Sequence, residues 1–430
     1  MTSFQLVSLL FGLAALFGTL NHVTLRLPNT IGLLLLAMLA SLLLVATQAV
    51  WPGLGLRRAA EHIVAQTDLP RTFLSGALAF LLFAGALQVD LDMLWRRRGT
   101  VLLLSTAGVA LAIALFAAGI WGVLGLLGLA MPMAWCLVLG AIVAPTDPVA
   151  VLEVLRRVGL PPELQATIAG ESLFNDGVGV VAFLALLGLA ETAGGGTGGG
   201  GVTALGVAGD MLRQSVGGFA LGLASGGLAF AALRSIDKHD VELMISLALV
   251  TLTYSVAGLA DVSGPIAVVV AGLLIGNHGR RHAMSETTWD NVGLFWLLID
   301  EILNALLFLL IGFELVALDL SLPLLAAAAG AIVLAVAVRA ASVALPVWAL
   351  DLARPRARRQ GDAPTLAALT WGGLRGGVSV ALVLSLPPGP YRGTLLACSY
   401  AIVVFTIVVQ GMTLARVVAA AQRWSERRAA

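Results

Sequence analysis

The chain has 430 residues, of which 59% are hydrophobic and 11% charged, and its mean hydropathy is +0.98. This much apolar surface excludes an ordinary soluble protein and indicates a polytopic membrane protein. The formal net charge of +1 gives no signal for a nucleic acid partner. Cys136 and Cys398 lie in apolar segments, so they predict small buried residues rather than disulfides or thiolate metal ligands.

About 13 apolar segments reach or approach the ~20 residues that a helix needs to cross a bilayer. In chain order they cover residues 4–20, 31–51, 70–93, 100–129, 132–155, 163–191, 206–233, 241–259, 263–277, 293–317, 322–350, 364–387 and 393–418. No Lys or Arg precedes the first segment, which therefore predicts a retained helix rather than a secretory signal. We expect an all-α polytopic membrane protein, with a transmembrane domain over residues 1–420 and a short cytoplasmic tail over 421–430.

Basic residues concentrate in alternate loops between these segments. If the N-terminus lies outside, most of the 25 Lys and Arg residues fall on the cytoplasmic side, where short loops are enriched in positive charge. Arg57 and Arg58, in a predicted outside loop, run against this trend. The pattern predicts an outside N-terminus and a cytoplasmic C-terminus.

Two prolines bracket an acidic residue in "APTDPVAV", residues 144–151. Pro145 and Pro148 lack amide hydrogens and clash with the preceding turn, which should interrupt the helix and free carbonyl oxygens beside Thr146 and Asp147. Two interpretations remain open. The carboxylate and the freed oxygens could form a cation site, or Asp147 could cap the resumed helix after a proline kink.

Four polar residues lie inside a predicted membrane helix in "GESLFNDGVGVV", residues 170–181. Helical spacing places Ser172 and Asp176 on one face, and Glu171 and Asn175 on an adjacent face. Ser and Asn alone would be consistent with a polar seam between helices. Two carboxylates indicate a functional site, because each costs about 2.5–3.5 kcal/mol near the bilayer centre.

An arginine lies between glycine pairs in "TWGGLRGGVSV", residues 370–380. Arg375 stays charged and needs a partner at this mid-span position, and we predict Glu171 as that partner. The glycines allow close backbone approach or local unwinding of the helix.

Together, "PTDPVAV", "GESLFNDGVGVV" and "GGLRGGVSVAL" resemble, in order, the diagnostic motifs of monovalent cation:proton antiporters of the NhaP/NHE type. "VSGPIAVVVAGLLIGN" and "ILNALLFLLIGFEL" resemble further segments of that family, so the likeness covers nearly the whole chain. It implies a thirteen-helix fold with two inverted repeats and interrupted helices. It also implies a core transport domain that moves against a dimerisation domain, in the bacterial inner (plasma) membrane.

The resemblance implies a set of cation ligands with carboxylate or hydroxyl oxygens: Asp176, Asp147, Thr146 and Ser172. Among these, Asp176 looks like the carboxylate that binds either the cation or a proton. Glu171 and Arg375 look like a structural ion pair. Asn175 looks like the position that holds a second Asp in electrogenic relatives.

One departure concerns the third predicted helix, where Ala84 stands in place of an acidic residue found in some members. The nearest carboxylates, Asp90 and Asp92, fall near the cytoplasmic end, so the ligand set is expected to be leaner. Four other acids in the membrane zone are interpreted first as structural groups: Glu242, Asp300, Glu301 and Glu314. Glu242 lies at a helix end and Glu314 joins helices, while for Asp300 or Glu301 the alternative is a position along the ion route, though not as a cation ligand. Asn304 is interpreted as a helix-joining residue as well.

Exchange requires oxygen ligands for an alkali cation and one group for which cation and proton compete. Burial in a low-dielectric medium favours the protonated form of a carboxylate, which would let Asp176 hold a proton at neutral pH. We therefore predict an antiporter that exchanges Na⁺ or K⁺ for H⁺ by alternating access. Because Asn175 cannot titrate, the exchange is predicted to be electroneutral on the condition that Asp147 keeps one protonation state throughout the cycle.

Two other classes of membrane protein could contain some of the same polar residues in their helices. A cation channel could use the same oxygens but usually needs symmetric rings or a filter. An intramembrane aspartyl protease would also place Asp147 and Asp176 on neighbouring helices, but it needs neither Arg375 nor the broken helix. The expected partners are Na⁺ or K⁺, H⁺, the lipid bilayer and a second copy of the chain, with no cofactor, no enzyme activity and no nucleic acid.

Overall fold

The structure is a computed structural model that describes residues 3–27, 29–50, 69–147, 151, 162–193, 204–317, 321–352 and 363–429. Within these ranges the regular secondary structure is entirely helical, which confirms the predicted all-α class.

The helices up to residue 193 are α1 (Ser3–Leu20), α2 (Asn29–Val50), α3 (Leu69–Leu87), α4 (Leu91–Arg96), α5 (Arg98–Leu103), α6 (Val109–Leu126), α7 (Met133–Val143) and α8 (Pro162–Ala193). A π-helical turn at Leu104–Gly108 joins α5 to α6 without a break.

The later helices are α9 (Ala204–Arg234), α10 (His239–Leu259), α11 (Gly264–Leu274), α12 (Arg280–His282), α13 (Glu286–Ala317), α14 (Leu322–Leu352), α15 (Ala363–Trp371), α16 (Gly377–Leu384), α17 (Arg392–Phe405) and α18 (Gly411–Ala429). A π-helical turn at Thr406–Gln410 connects α17 to α18.

Each predicted apolar segment overlaps helical residues. Among the described residues, 8 helices are long and apolar enough to cross a membrane, and three shorter apolar helices accompany them. The protein is therefore a multi-pass membrane protein. The number of crossings, the inverted repeats and the division into two domains stay predictions.

Two predicted segments are interrupted in the structure. Helix α7 ends at Val143, and residues 144–147 leave the helical conformation where Pro145 removes an amide donor, as predicted. The second break covers residues 372–376, between Trp371 at the end of α15 and Gly377 at the start of α16. The glycine-rich sequence unwinds here rather than only permitting close packing.

The last helix continues further than predicted. We expected it to end near residue 418, with a tail over 421–430, but α18 extends to Ala429. Its final residues, "AAAQRWSERRA", combine alanine with long polar side chains of high helix propensity, so the chain stays helical beyond the apolar stretch.

Helix α8 lies at the centre of the part that carries the polar motifs. It packs against α7, α3 and α16, while α13 packs against α3 and α16. Cys136 and Cys398 are both free and buried in the main apolar cluster, which confirms their predicted role as small core residues.

Large apolar side chains are exposed on the outer faces of several helices. Examples on four different helices are Leu16, Leu228, Leu252 and Val333. Exposed apolar faces of this kind suit a hydrocarbon environment, because lipid rather than water surrounds the helix.

Candidate functional site

The two interrupted helices cross each other at their breaks. The amide of Asp147 donates a 2.8 Å hydrogen bond to the carbonyl oxygen of Leu374, so the extended segments pair through their backbones. Gly376 allows this approach, since a Cβ atom there would collide with the Asp147 side chain. Non-helical backbone inside a membrane protein is tolerated where protein or a polar cavity surrounds it.

Arg375 stabilises the crossing by capping the end of α7. Its Nη1 donates to the carbonyl oxygens of Ala144 (2.6 Å) and Pro145 (3.0 Å), and its amide donates to Thr406 Oγ1 (3.1 Å). The last carbonyls of a helix carry partial negative charge and lack partners within the helix. The buried guanidinium supplies both the hydrogen-bond donor and the compensating positive charge.

The predicted pairing of Glu171 with Arg375 is wrong. Arg339 of α14 donates from Nη1 and Nη2 to Oε1 and Oε2 of Glu171, both at 2.8 Å, and from Nε to the carbonyl of Leu369 at 3.2 Å. Helix α14 brings this arginine to Glu171, while Arg375 is engaged by backbone carbonyls. Sequence reasoning missed Arg339, although its position well inside the predicted segment 322–350 was the available signal.

Asn175 joins the α7 break to the Glu171 pair. Its Nδ2 donates to Thr146 Oγ1 (2.7 Å) and to Glu171 Oε1 (2.9 Å), and its Oδ1 accepts from the amide of Thr146 (3.2 Å). The hydroxyls of Thr146 and Ser172 are 3.0 Å apart. A carboxamide is required here because the position both donates and accepts.

Asp176 lies on a small cavity beside the crossing. The cavity has a volume of about 40 Å³, and its lining includes Pro145, Thr146, Asp147 and Asp176. Oδ1 of Asp176 is buried and has no hydrogen-bond partner among the described residues. Carboxylate, hydroxyl and carbonyl oxygens around a polar cavity suit a hard monovalent cation.

The structure thus brings most of the predicted ligand region together. Thr146, Asp147 and Asp176 line the cavity, and Ser172 hydrogen-bonds Thr146 directly behind it. Pro148 lies outside the described residues. Within the described ranges, no group of three or more His, Cys, Asp and Glu side chains is arranged to hold a metal ion.

Helix α3 contributes Leu81, Leu82 and Gly85 to the lining of this cavity. Ala84 is fully buried within an apolar cluster, and the leaner ligand set stays a prediction. Asp90 caps α4 through the amides of Asp92 and Met93, and Asp92 pairs with Arg281 at 2.6 Å.

Two further polar residues, Asp300 and Asn304 of α13, are buried and line the cavity. The position of Asp300 agrees with the alternative given for it from the sequence, whereas Asn304 was expected only to join helices. Their i, i+4 spacing inside an apolar helix was the available signal. Glu301 is exposed, and the Glu314 side chain lies outside the described residues.

Comparisons with known proteins agree with this architecture. Residues 11–420 match the family described as "Sodium/hydrogen exchanger, transmembrane". The Na(+)/H(+) antiporter NhaP of Pseudomonas aeruginosa is 42% identical over 414 residues, which is 95% of this chain and 95% of that protein. The Na(+)/H(+) antiporter NhaH of Halobacillus dabanensis is 32% identical over 362 residues, covering 83% of this chain and 84% of that protein.

The fold is similar to that of the sodium proton antiporter MjNhaP1 from Methanocaldococcus jannaschii at pH 8. The TM-score is 0.73 at 20% sequence identity, and the match covers 97% of both chains. At this identity the likeness establishes the fold. Because the family match and the NhaP relationship both extend over nearly the whole sequence, the chain belongs to the sodium/hydrogen exchanger family, whose members are secondary transporters and not enzymes.

Proposed function

We propose that this protein exchanges one Na⁺ for one H⁺ by alternating access, with the two ions competing for Asp176. The observation that carries the proposal is the buried, unpartnered Oδ1 of Asp176 on a cavity shared with Asp147 and Thr146. An oxygen in this position is stabilised either by a proton on its own carboxyl group or by a bound cation.

Electrostatic repulsion between Asp147 and Asp176 makes these two states alternatives. Both carboxylates line one cavity, so a cation held there offsets the repulsion between them when they are charged. When the cation leaves, a proton on Asp176 removes one of the two charges. Loading on one side of the membrane and release on the other then couples the two ion gradients.

The other polar residues around the site keep the same charge and protonation state throughout the proposed transport cycle. Arg339 neutralises Glu171, Arg375 caps α7, and Asn175 carries no titratable proton. A cycle in which only Asp176 exchanges its proton moves no net charge.

The remaining assignments follow from the family and the charge pattern. We place the protein in the bacterial plasma membrane, with the N-terminus outside and the C-terminus in the cytoplasm, as a homodimer that contributes to pH homeostasis. Potassium and lithium are the other two candidates for the transported cation.

Reconstitution in proteoliposomes with an internal pH-sensitive dye tests the function directly. Adding Na⁺, K⁺ or Li⁺ to the outside should release protons from the lumen for each cation that is a substrate. Asp176→Asn should abolish the signal while leaving expression and thermal stability close to those of the wild type, because the amide is nearly isosteric. Sustained exchange by this variant would contradict the competition at Asp176.

A further inference from the structure

A third buried carboxylate lies on the cavity that contains Asp147 and Asp176. Asp300 belongs to the middle of α13, is 5% exposed, and lines the cavity together with Asn304 one helical turn later. A carboxylate near the middle of a membrane helix costs about 2.5–3.5 kcal/mol on insertion scales. Its position on a polar cavity, rather than on a lipid-facing or apolar surface, points to a use in the ion route.

Asp147 lines the same cavity as both of the other acids. Carboxylates that share one cavity repel one another when they are charged, so a cation held there lowers their electrostatic energy. Oδ1 of Asp176, buried and without a partner among the described residues, marks this cavity as a place for a positively charged ligand.

The backbone around the second break is shaped to admit these side chains. A Cβ atom on Gly377 would lie 2.5 Å from Oδ1 of Asn304, and one on Gly376 would collide with Asp147. The glycines at the start of α16 thus let the polar pair of α13 and the carboxylate of Asp147 lie next to one another.

We propose that Asp300 binds the monovalent cation on its approach to Asp147 and Asp176. This inference rests on the proposed exchange function. The cavity volume of about 40 Å³ accommodates a partly hydrated ion, since one water needs about 10–15 Å³ by the same measure.

The test compares Asp300→Asn with Glu301→Gln, a matched control at the adjacent exposed position. In proteoliposomes at fixed pH, Asp300→Asn should raise the apparent KM for Na⁺ about tenfold while keeping the maximal rate within about twofold. Asp300→Glu, which keeps the charge but displaces it, should raise the KM several-fold and so less than Asp300→Asn does, and Glu301→Gln should match the wild type. A purely structural role would instead reduce rate and stability without this selective change in KM.

Two further readouts keep the proposal falsifiable. Stabilisation of the purified protein by Na⁺ in a thermal unfolding assay should need a higher Na⁺ concentration for Asp300→Asn, independently of transport. If Asp300→Asn does not fold, Asp300→Glu decides, and its KM should rise several-fold because the carboxylate is displaced by one methylene. A KM unchanged within about twofold in the folded variant overturns the proposal, whereas absent exchange by the wild type overturns the proposed function instead.

Discussion

Arg339 and Glu171 form a bidentate ion pair in the protein interior, with both nitrogen–oxygen distances at 2.8 Å. The side chains are 10% and 1% exposed, respectively. Asn175 adds a third hydrogen bond to Oε1 of the same carboxylate. This arrangement fixes the charge of Glu171 and distinguishes it from Asp176, five residues later, whose Oδ1 has no partner among the described residues.

Breaking this pair should destabilise the protein strongly. Arg339→Gln and Glu171→Gln are each expected to cost roughly 3–5 kcal/mol, because either change leaves a buried charge without its partner. The double variant should lose less than the sum of the two. Thermal unfolding of the wild type, the two single variants and the double variant in detergent measures this double-mutant cycle. Arg281→Gln, in an exposed ion pair, is the control and should change stability little. Additive losses would contradict the assigned pair.

Arg375 should behave independently of Glu171. Arg375→Gln removes the charged donor to the carbonyls of Ala144 and Pro145, at an expected cost of roughly 1.5–3 kcal/mol. Combined with Glu171→Gln, its effect on the unfolding temperature should be close to additive, unlike that of Arg339→Gln. A large coupling energy between Arg375 and Glu171 would instead support the ion pair that was expected from the sequence.

Asn175→Asp should inactivate the protein rather than simply change its stoichiometry. The new carboxylate would face Glu171 Oε1 across the present 2.9 Å hydrogen bond and would lose the donor to Thr146. We expect a lower unfolding temperature together with loss of exchange. A stable variant with wild-type exchange would show that the Asn175 hydrogen bonds are dispensable.

Competition at Asp176 predicts a definite pH dependence. Lowering the pH protonates more of the empty carboxylate, so the apparent KM for Na⁺ should rise, by up to about tenfold per pH unit where the proton dominates. The maximal rate at saturating Na⁺ should change less than KM. Initial rates measured over a range of pH and Na⁺ concentrations test this, and a KM independent of pH would contradict competition.

Electroneutral exchange should be insensitive to membrane voltage. A potassium–valinomycin diffusion potential of either sign should leave Na⁺-driven proton movement unchanged, with protein-free liposomes as the leak control. The wild-type protein gives the decisive result. A clear acceleration by one polarity and slowing by the other would show net charge movement and a second titrating group in the cycle.

The helices and other local features of this protein could be predicted from its sequence. The apolar segments predicted the helices, and Pro145 predicted the break after α7, because proline acts on its own backbone. The glycines around Arg375 left close backbone approach and local unwinding as alternatives, and the structure shows unwinding. The i, i+4 spacing of Glu171 and Asn175 predicted that they share a helix face, and a hydrogen bond joins their side chains. The roles of these residues as ligands stay predictions.

Only the tertiary structure decided which distant groups meet. Glu171 is 168 residues from Arg339 in the chain, and its pairing with Arg339 rather than Arg375 depends on where the bundle places α14 relative to α8. The placement of Asp300 on the cavity likewise depends on the rotation of α13 against α16. Helical periodicity identifies residues that share a face but carries no information about which neighbour that face meets, because that is set by the packing of the whole bundle.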